Sequence, residues 1–335
     1  MRAVVVQELG AAWVVEDAPA PALGLTDVLV RVEASGVCHS DVHLSRDSGY
    51  GGTFPRIPGH EFVGRVVATG EAVRSTVLGT RVGVAWPQRW CGCCRRCLDG
   101  YYAFCERGCD ITGGTVDGGH AEFAAVDASS VVAVGEDLPA SQIAPLLCAG
   151  YTAYSALRQA AVGPGDCVAV VGIGGIGHLA VQYASLMGAS VVAVTSDSSK
   201  SADVRSLGAA DVIAEASDDL GDELGRRGGV DVLVATTSVV LDAVLSGLRS
   251  GARVSLVGVG NEELRVSPRA LVFGGVSVFG SSPGPRSLLA EVLAIHRSGK
   301  ARVLVEELSL GAAGEAFSRC EAGSARYRLV LRADR

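Results

Sequence analysis

Residues 36–43, Gly36-Val37-Cys38-His39-Ser40-Asp41-Val42-His43, crowd a thiol, two imidazoles, a hydroxyl and a carboxylate into one short run. Zinc takes thiolate and imidazole ligands and needs surrounding hydrogen bonds to orient them. This octapeptide can supply one ligand and much of that support, although taken alone it reads equally well as a polar loop. Two other segments carry matching chemistry. One is Gly59-His60-Glu61, preceded by Pro55 and Pro58; the other is Cys148 in Leu146-Leu147-Cys148-Ala149-Gly150. By itself, the first is an ordinary polar pair and the second a small residue on a helix. Together, Cys38, His60 and Cys148 offer two thiolates and one imidazole. Three protein ligands leave the fourth zinc position open, which is the catalytic pattern. Spacing in sequence does not establish that the three converge.

A denser signal follows. Cys91, Cys94, Cys97 and Cys105 stand in a C-x2-C-x2-C-x7-C pattern. Four thiolates that close in sequence can complete a tetrahedron within one loop, and a site with no open position is structural. The alternatives are disulfides or buried free thiols. Cys93 complicates the register as a fifth thiol inside the knot, and Cys109 does so to a lesser degree. A third signal is Gly172-Ile173-Gly174-Gly175-Ile176-Gly177, a G-x-G-x-x-G turn. The motif is weak alone, but here it follows an apolar strand, Cys167-Val171, and opens a helix. In that context the glycines let backbone approach a pyrophosphate seated on the helix N-terminus.

The elements that must hold these groups fall into two textures. Up to about residue 135, short β-branched runs (Val4-Val6, Val28-Val32, Val63-Ala68, Arg81-Val84, Val131-Val134) alternate with Gly and Pro, which predicts an all-β, barrel-like unit. The spacing then predicts a helix from Ser141 to Gln159 and strands at Cys167-Val171, Val191-Val194, Asp211-Ile213, Val230-Ala235, Val254-Val257 and Val276-Phe279, with helices between most of them. Strands alternating with helices predict a parallel, doubly wound sheet. A helix from Arg286 to Ser298 and a last strand, Arg328-Leu331, return the chain to the first unit. We expect a catalytic domain over 1–149 completed by 283–335, and a dinucleotide domain over 150–282.

Composition sets the outer bounds. The 335 residues are 48% hydrophobic and 19% charged, with 44 glycines and a net charge of −7. That balance suits a two-domain globular α/β protein and argues against nucleic acid as a partner. Apolar runs stop short of a membrane span. Ten cysteines without a signal-peptide pattern point to a reducing compartment, the cytoplasm.

Taken in order, Cys38 to His43, Pro58 to Glu61, the cysteine lobe, Cys148-Ala149-Gly150, the glycine turn, Gly280-Ser281 with Arg286, and Arg326-Tyr327 resemble the medium-chain, zinc-dependent alcohol dehydrogenases of the shorter bacterial and yeast type. The resemblance covers essentially the whole chain. It implies a GroES-like catalytic domain joined to a Rossmann domain, two zincs per chain and a nicotinamide cofactor. It also implies a small alcohol or aldehyde as substrate, and a homo-oligomer, dimer or tetramer. On that likeness Cys38, His60 and Cys148 ligate a catalytic zinc, and Cys91, Cys94, Cys97 and Cys105 a structural one. Asp41 accepts a hydrogen bond from His60. Ser40 takes the alcohol proton and passes it through the cofactor ribose to His43. Glu61 lies behind the metal as hydrogen-bonding support, and Ser40 and Trp86 crowd the substrate. His39 and Arg326 meet the cofactor pyrophosphate beside Gly172, Gly174, Gly175, Ile176 and Gly177.

One position departs from the NAD-preferring members. Thr195 ends the second strand of the expected Rossmann domain, where those relatives carry an acid that binds the adenosine ribose. A hydroxyl there, with Ser196 and Lys200 near, favours NADP, although Asp197 falls at about the distance of the general fingerprint. Zinc-free reductases of the same architecture and a non-enzymatic zinc protein are the competing readings. The first lack the ligands this chain keeps. The acidic charge and the glycine turn speak against the second.

Overall fold

The structure is a computed structural model, and it describes residues 1–47, 51–74, 76–214, 219–260 and 263–333. The chain divides into two compact units. One comprises Met1–Cys148, Pro285–Arg297 and Arg302–Arg335; the other comprises Ala149–Gly284 and Ser298–Ala301.

The first unit is built on the strand Asp27–Val37. Val28, Val30 and Val32 turn inward while Arg31 is exposed, the period-two alternation of a half-buried strand. From Ala34 onward every residue is buried, so the strand enters the interior just before Cys38. Neighbours in its sheet run in the order Val305–Ser309, Arg328–Arg332, Asp27–Val37, Phe62–Thr69, Arg81–Val84, Val131–Ala133, with Phe123–Asp127 also pairing Asp27–Val37. Val28, Val30, Phe62, Val66, Val82, Val84 and Val126 pack into one core. The tip of Asp27–Val37 leads directly into the helix His39–Arg46, an element the β-rich texture of this region concealed.

The second unit is a six-stranded sheet in the order Asp211–Ala214, Ser190–Thr195, Cys167–Val171, Val230–Ala235, Leu248–Leu256, Ser277–Gly280, with all neighbours parallel. Counted along the chain this is 3-2-1-4-5-6, the doubly wound Rossmann order. Nearly continuous apolar strands fit a sheet covered on both faces: Val168, Ala169, Val170, Val232, Leu233 and Val234 are all fully buried.

The helix expected from Ser141 to Gln159 is not continuous. It forms as Ala140–Ile143, a 3-10 turn Ala144–Leu147, and a helix Ala149–Gln159. Pro145 is the cause, since it lacks the N–H for an i→i−4 bond and its ring opposes the preceding turn. Cys148 stands at the break with φ −125° and ψ −75°.

Candidate active site

Three side chains from three separate segments of the first unit meet. Cys38 follows the long central strand, His60 precedes the strand Phe62–Thr69, and Cys148 sits at the helix break. Their ligating atoms all lie within 4.8 Å of one another. Cys38 Sγ is 3.9 Å from Cys148 Sγ, and His60 Nε2 is 3.2 Å from the same sulfur. A zinc–sulfur bond of about 2.3 Å gives tetrahedral edges of about 3.8 Å between sulfurs. The donor set therefore fits zinc in chemistry and in size, with a fourth corner left open.

Asp41 organises this cluster. It is fully buried and accepts three N–H bonds: from His60 Nδ1 at 2.6 Å, from the Gly59 backbone at 3.3 Å, and from the Cys38 backbone at 3.0 Å. The first fixes the His60 proton on Nδ1 and leaves Nε2 as the ligating atom. Burial opposes protonation of His60, but the charge and hydrogen bond of Asp41 outweigh it and push the pKa up to about 10. Cys38 is driven toward thiolate by a hydrogen bond from Cys148, against its burial. At Cys38 a cation thus meets a thiolate, whereas at His60 it must displace the Nε2 proton that the charge of Asp41 helps to hold.

Behind Asp41 lies a polar layer that sequence reading missed. Trp13 Nε1 donates to Ser45 Oγ at 3.0 Å, and Ser45 Oγ donates to the Asp41 carbonyl at 2.8 Å. The buried His120 pairs with Ser35 Oγ at 2.8 Å, and its ring packs on Gly59 so closely that a Cβ there would stand 2.6 Å from Nδ1. Gly59 also has φ +102°, so both space and backbone require glycine. The other missed residue is Arg328. Glu61 is fully buried and pairs with the Arg328 guanidinium at the start of the last strand, while Gly36 leaves room for the carboxylate. The one available signal was a charged residue at an inward position of Arg328-Leu329-Val330-Leu331. Arg326, two residues earlier, is exposed.

Ser40 and His43 share the helix His39–Arg46, three residues apart and thus on neighbouring positions of one face. His43 lies 5.4 Å from the His39 ring between centroids; burial first, then that neighbour, lowers its pKa. Trp86 meets His60 edge to face at 5.0 Å.

Cys91, Cys94, Cys97 and Cys105 bring their sulfurs within 4.8 Å of one another. Cys91 and Cys97 are 3.9 Å apart, and the Cys94 and Cys97 N–H groups donate to the Cys91 and Cys94 sulfurs at 3.4 and 3.5 Å. All ten cysteines are free thiols. Four sulfurs at this spacing, fed by backbone donors, suit a closed tetrahedral zinc site.

In the second unit, the strand Cys167–Val171 ends at Gly172, whose φ of +89° turns the chain into the helix Gly177–Leu186. Ile176 at its N-cap brings no side-chain acceptor, and Gly174 has nothing within 4 Å of where a Cβ would stand. Uncapped N–H groups beside open space are the cradle a pyrophosphate fills. A cavity of about 260 Å³ lies against this turn, lined by Gly172, Thr195, Ser196, Thr237 and Val240 among others. Thr195 Oγ1 accepts the Asp197 N–H at 3.1 Å. Asp197 accepts the Ser199 N–H at 3.0 Å, and Lys200 Nζ donates to the Ile173 carbonyl at 3.2 Å.

A nucleotide-binding turn combined with an open Cys2His cluster is the equipment of a metal-assisted dehydrogenase. Comparison with known proteins agrees. The family described as the alcohol dehydrogenase GroES-like domain matches residues 24–136, and the zinc-binding dehydrogenase family matches residues 175–297. An alcohol dehydrogenase of Geobacillus stearothermophilus is 38% identical over 338 residues, covering 99% of each chain. One of Rhizobium meliloti (strain 1021) is 36% identical, covering 99% of this chain and 98% of the other. The solved alcohol dehydrogenase of the archaeon Aeropyrum pernix superposes with a TM-score of 0.91 at 32% identity, over 99% of this chain and all of that one. The chain belongs to the medium-chain, zinc-dependent alcohol dehydrogenase family. It is an oxidoreductase that interconverts an alcohol and an aldehyde or ketone by hydride transfer with a nicotinamide cofactor, and it uses zinc. Among the described residues, no helix is long and apolar enough to cross a membrane.

Proposed function

We propose that Cys38, His60 and Cys148 hold the catalytic zinc and that Cys91, Cys94, Cys97 and Cys105 hold a structural one. The observation that carries this is the meeting of three donors from distant segments within 4.8 Å around a buried Asp41. Zinc bound there supplies a Lewis acid that lowers the pKa of an alcohol hydroxyl toward neutrality. Ser40 accepts the proton of the alcohol and hands it by way of the cofactor ribose to His43, whose lowered pKa keeps it neutral and able to accept. Trp86, packed on His60, walls the substrate. Glu61 is held by Arg328 and supports the shell behind the ligands. His39 and Arg326 meet the pyrophosphate, whose other contacts come from Gly172, Gly174, Gly175, Ile176 and Gly177.

NADP is the favoured cofactor. Thr195 stands where a carboxylate would repel a 2′-phosphate, which carries up to two negative charges. Ser196 is exposed at the 260 Å³ cavity, and Lys200 supplies a nearby cation. Asp197 is the counterweight, with one oxygen capping Ser199 and the other 3.9 Å from Lys200. Thr195→Asp should therefore reverse the preference through KM, because the adenosine end contributes binding and not chemistry.

The enzyme is read as a cytoplasmic homo-oligomer, dimer or tetramer. Ten free thiols suit a reducing compartment. Ser277–Gly280 is an edge strand, and the helix before it exposes Val272 at 75% and Phe273 at 80%, an apolar patch that suits self-association. The deciding experiment combines zinc analysis with a spectrophotometric screen of alcohols and aldehydes against NADPH and NADH. Two zincs per chain and turnover with NADPH support the reading. One zinc, none, or no turnover with any alcohol would refute it.

A further inference from the structure

The exposed face of the strand Asp27–Val37 belongs to a row of like charges. Residues paired across strands point to the same face of a sheet. Arg31 stands opposite Phe123 on one side and Arg65 on the other, and Arg81 stands opposite Arg65. Arginines placed this way repel one another. Glu33 offsets two of the three: its Oε1 accepts from Arg65 Nε and its Oε2 from Arg81 Nε, each at 2.9 Å, and Arg65 also pairs with Glu136 at 2.7 Å. Arg31 is exposed and has no such partner among the described residues.

This row borders a break in the sheet. Asp27–Val37 pairs with Phe123–Asp127 as far as Arg31 and with Arg328–Arg332 from Ala34 onward. On its other edge the register slips between Val32 and Ala34, a bulge of the kind that re-aims side chains. A cavity of about 750 Å³ lies here, lined by Arg31, Glu33, Arg81, Glu122, Phe123 and Arg332 among others, a size that suits a small ligand. Both of its carboxylates are engaged, Glu33 by two guanidinium groups and Glu122 by the Arg2 backbone N–H at 2.7 Å. The cations are less fully used. Arg332 has one surface partner, Glu307, at 3.2 Å. The buried Arg81 spends Nε on Glu33 and Nη1 on the Gly135 and Leu138 carbonyls, which leaves Nη2 without a partner among the described residues. A local excess of positive charge thus lines a cavity in a chain of net charge −7.

We propose that this cavity binds a small organic anion, its carboxylate or phosphate head held by Arg31 and Arg332 and its apolar body laid on Phe123 and Pro139. Guanidinium forks match the oxygens of either head group two to two. The bound anion would give Arg31 the counter-charge that the described residues withhold. Arg31 precedes Cys38 by seven residues on an extended strand, about 20 Å at about 3.3 Å per residue, so the site is separate from the metal cluster.

The test is calorimetric titration of the zinc-loaded enzyme with phenyl phosphate and, separately, with benzoate. One site per chain is expected, with the more highly charged phenyl phosphate binding tighter. Arg31→Gln and Arg332→Gln should each weaken binding about 10–100-fold, the usual contribution of a hydrogen bond to a charged group. Arg31→Lys, which keeps the charge, should recover part of the loss. Lys200→Gln, in the other compact unit, should change nothing, and Arg31→Gln should turn over alcohol as wild type does when no probe is present. Binding of phenyl phosphate alone supports the site with a phosphate ligand, and binding of benzoate alone supports it with a carboxylate. Failure of both probes to bind, or binding that survives Arg31→Gln and Arg332→Gln, overturns the inference.

Discussion

Replacing Asp41 by Asn tests whether the buried carboxylate, rather than the ligands alone, sets the affinity of the catalytic site. The side chains are nearly isosteric, so the change is one of charge and hydrogen-bond direction. Asp41 Oδ1 takes the His60 and Gly59 protons, and Oδ2 takes the Cys38 N–H. An asparagine can place its single oxygen on one side only. Facing His60, it sets its amide against the Cys38 N–H and leaves the start of the helix His39–Arg46 with two opposed donors. Facing Cys38, it presents an N–H to His60 Nδ1, which moves the ring proton to Nε2, the atom the metal needs. The first orientation costs about 1–3 kcal/mol for a buried unsatisfied donor. The second requires a tautomer switch before binding, and either one removes the charge that balances a cation. A loss of about 10–100-fold in zinc affinity is the usual effect of such a change, or about 1.4–2.8 kcal/mol. A chelator titration read by metal analysis should show one zinc leaving Asp41→Asn at about 10–100-fold lower chelator than in wild type, while the zinc of the cysteine lobe leaves both proteins at the same concentration. Identical curves for both zincs would show that Asp41 does not act through His60.

Cys38→Ala, His60→Ala and Cys148→Ala should each abolish alcohol turnover while leaving NADPH binding measurable by fluorescence, because the glycine turn belongs to the other compact unit; full activity in any one would sink the ligand set. Ser40→Ala should slow alcohol oxidation by about 10²–10⁴-fold with zinc content unchanged, the usual worth of such a proton acceptor. His120 is held down to about 4 from 6.5 by burial. Its unfolded form therefore binds the extra proton, and its contribution to stability is complete above about pH 6.5 and lost as pH falls toward 4, about 3 kcal/mol in all. Urea unfolding should show that loss in wild type and a shallower slope for His120→Gln; equal slopes would place the proton elsewhere.

The parts of this molecule that were legible in the sequence are those where one short segment contains the whole device. The cysteine lobe needs only its own loop. The glycine turn needs only the strand before it and the helix after it, and Cys167–Val171 and Gly177–Leu186 are where those were read. Thr195 was found by counting from an apolar strand that ends there. The illegible parts are those assembled across the chain. Nothing local in Trp13 or His120 announces that they back Asp41. Arg328 lies two residues from Arg326, and only the register of the last strand against Gly36 and its neighbours separates a buried partner of Glu61 from an exposed arginine.

The helix expected from Ser141 to Gln159 is where the sequence reading departs from the structure, and the departure falls at Cys148. Residues 141–159 carry good helical spacing, and read as one helix they would place Cys148 at an ordinary interior position. Pro145 stops the first helical segment, the chain tightens through Ala144–Leu147, and Cys148 takes a non-helical conformation before the next helix begins. An uninterrupted helix would direct the thiol by the periodicity of its neighbours, whereas the break lets its direction be set independently of both flanking segments. A local violation of helix propensity at a residue with metal-ligating chemistry is where structure and site make conflicting demands. Pro145→Ala supplies the check, since it restores the missing N–H without touching a donor. If the break serves the thiol, this variant should gain helical signal and lose zinc affinity together; a gain in helix with the catalytic zinc held as tightly as before would show that the break is incidental.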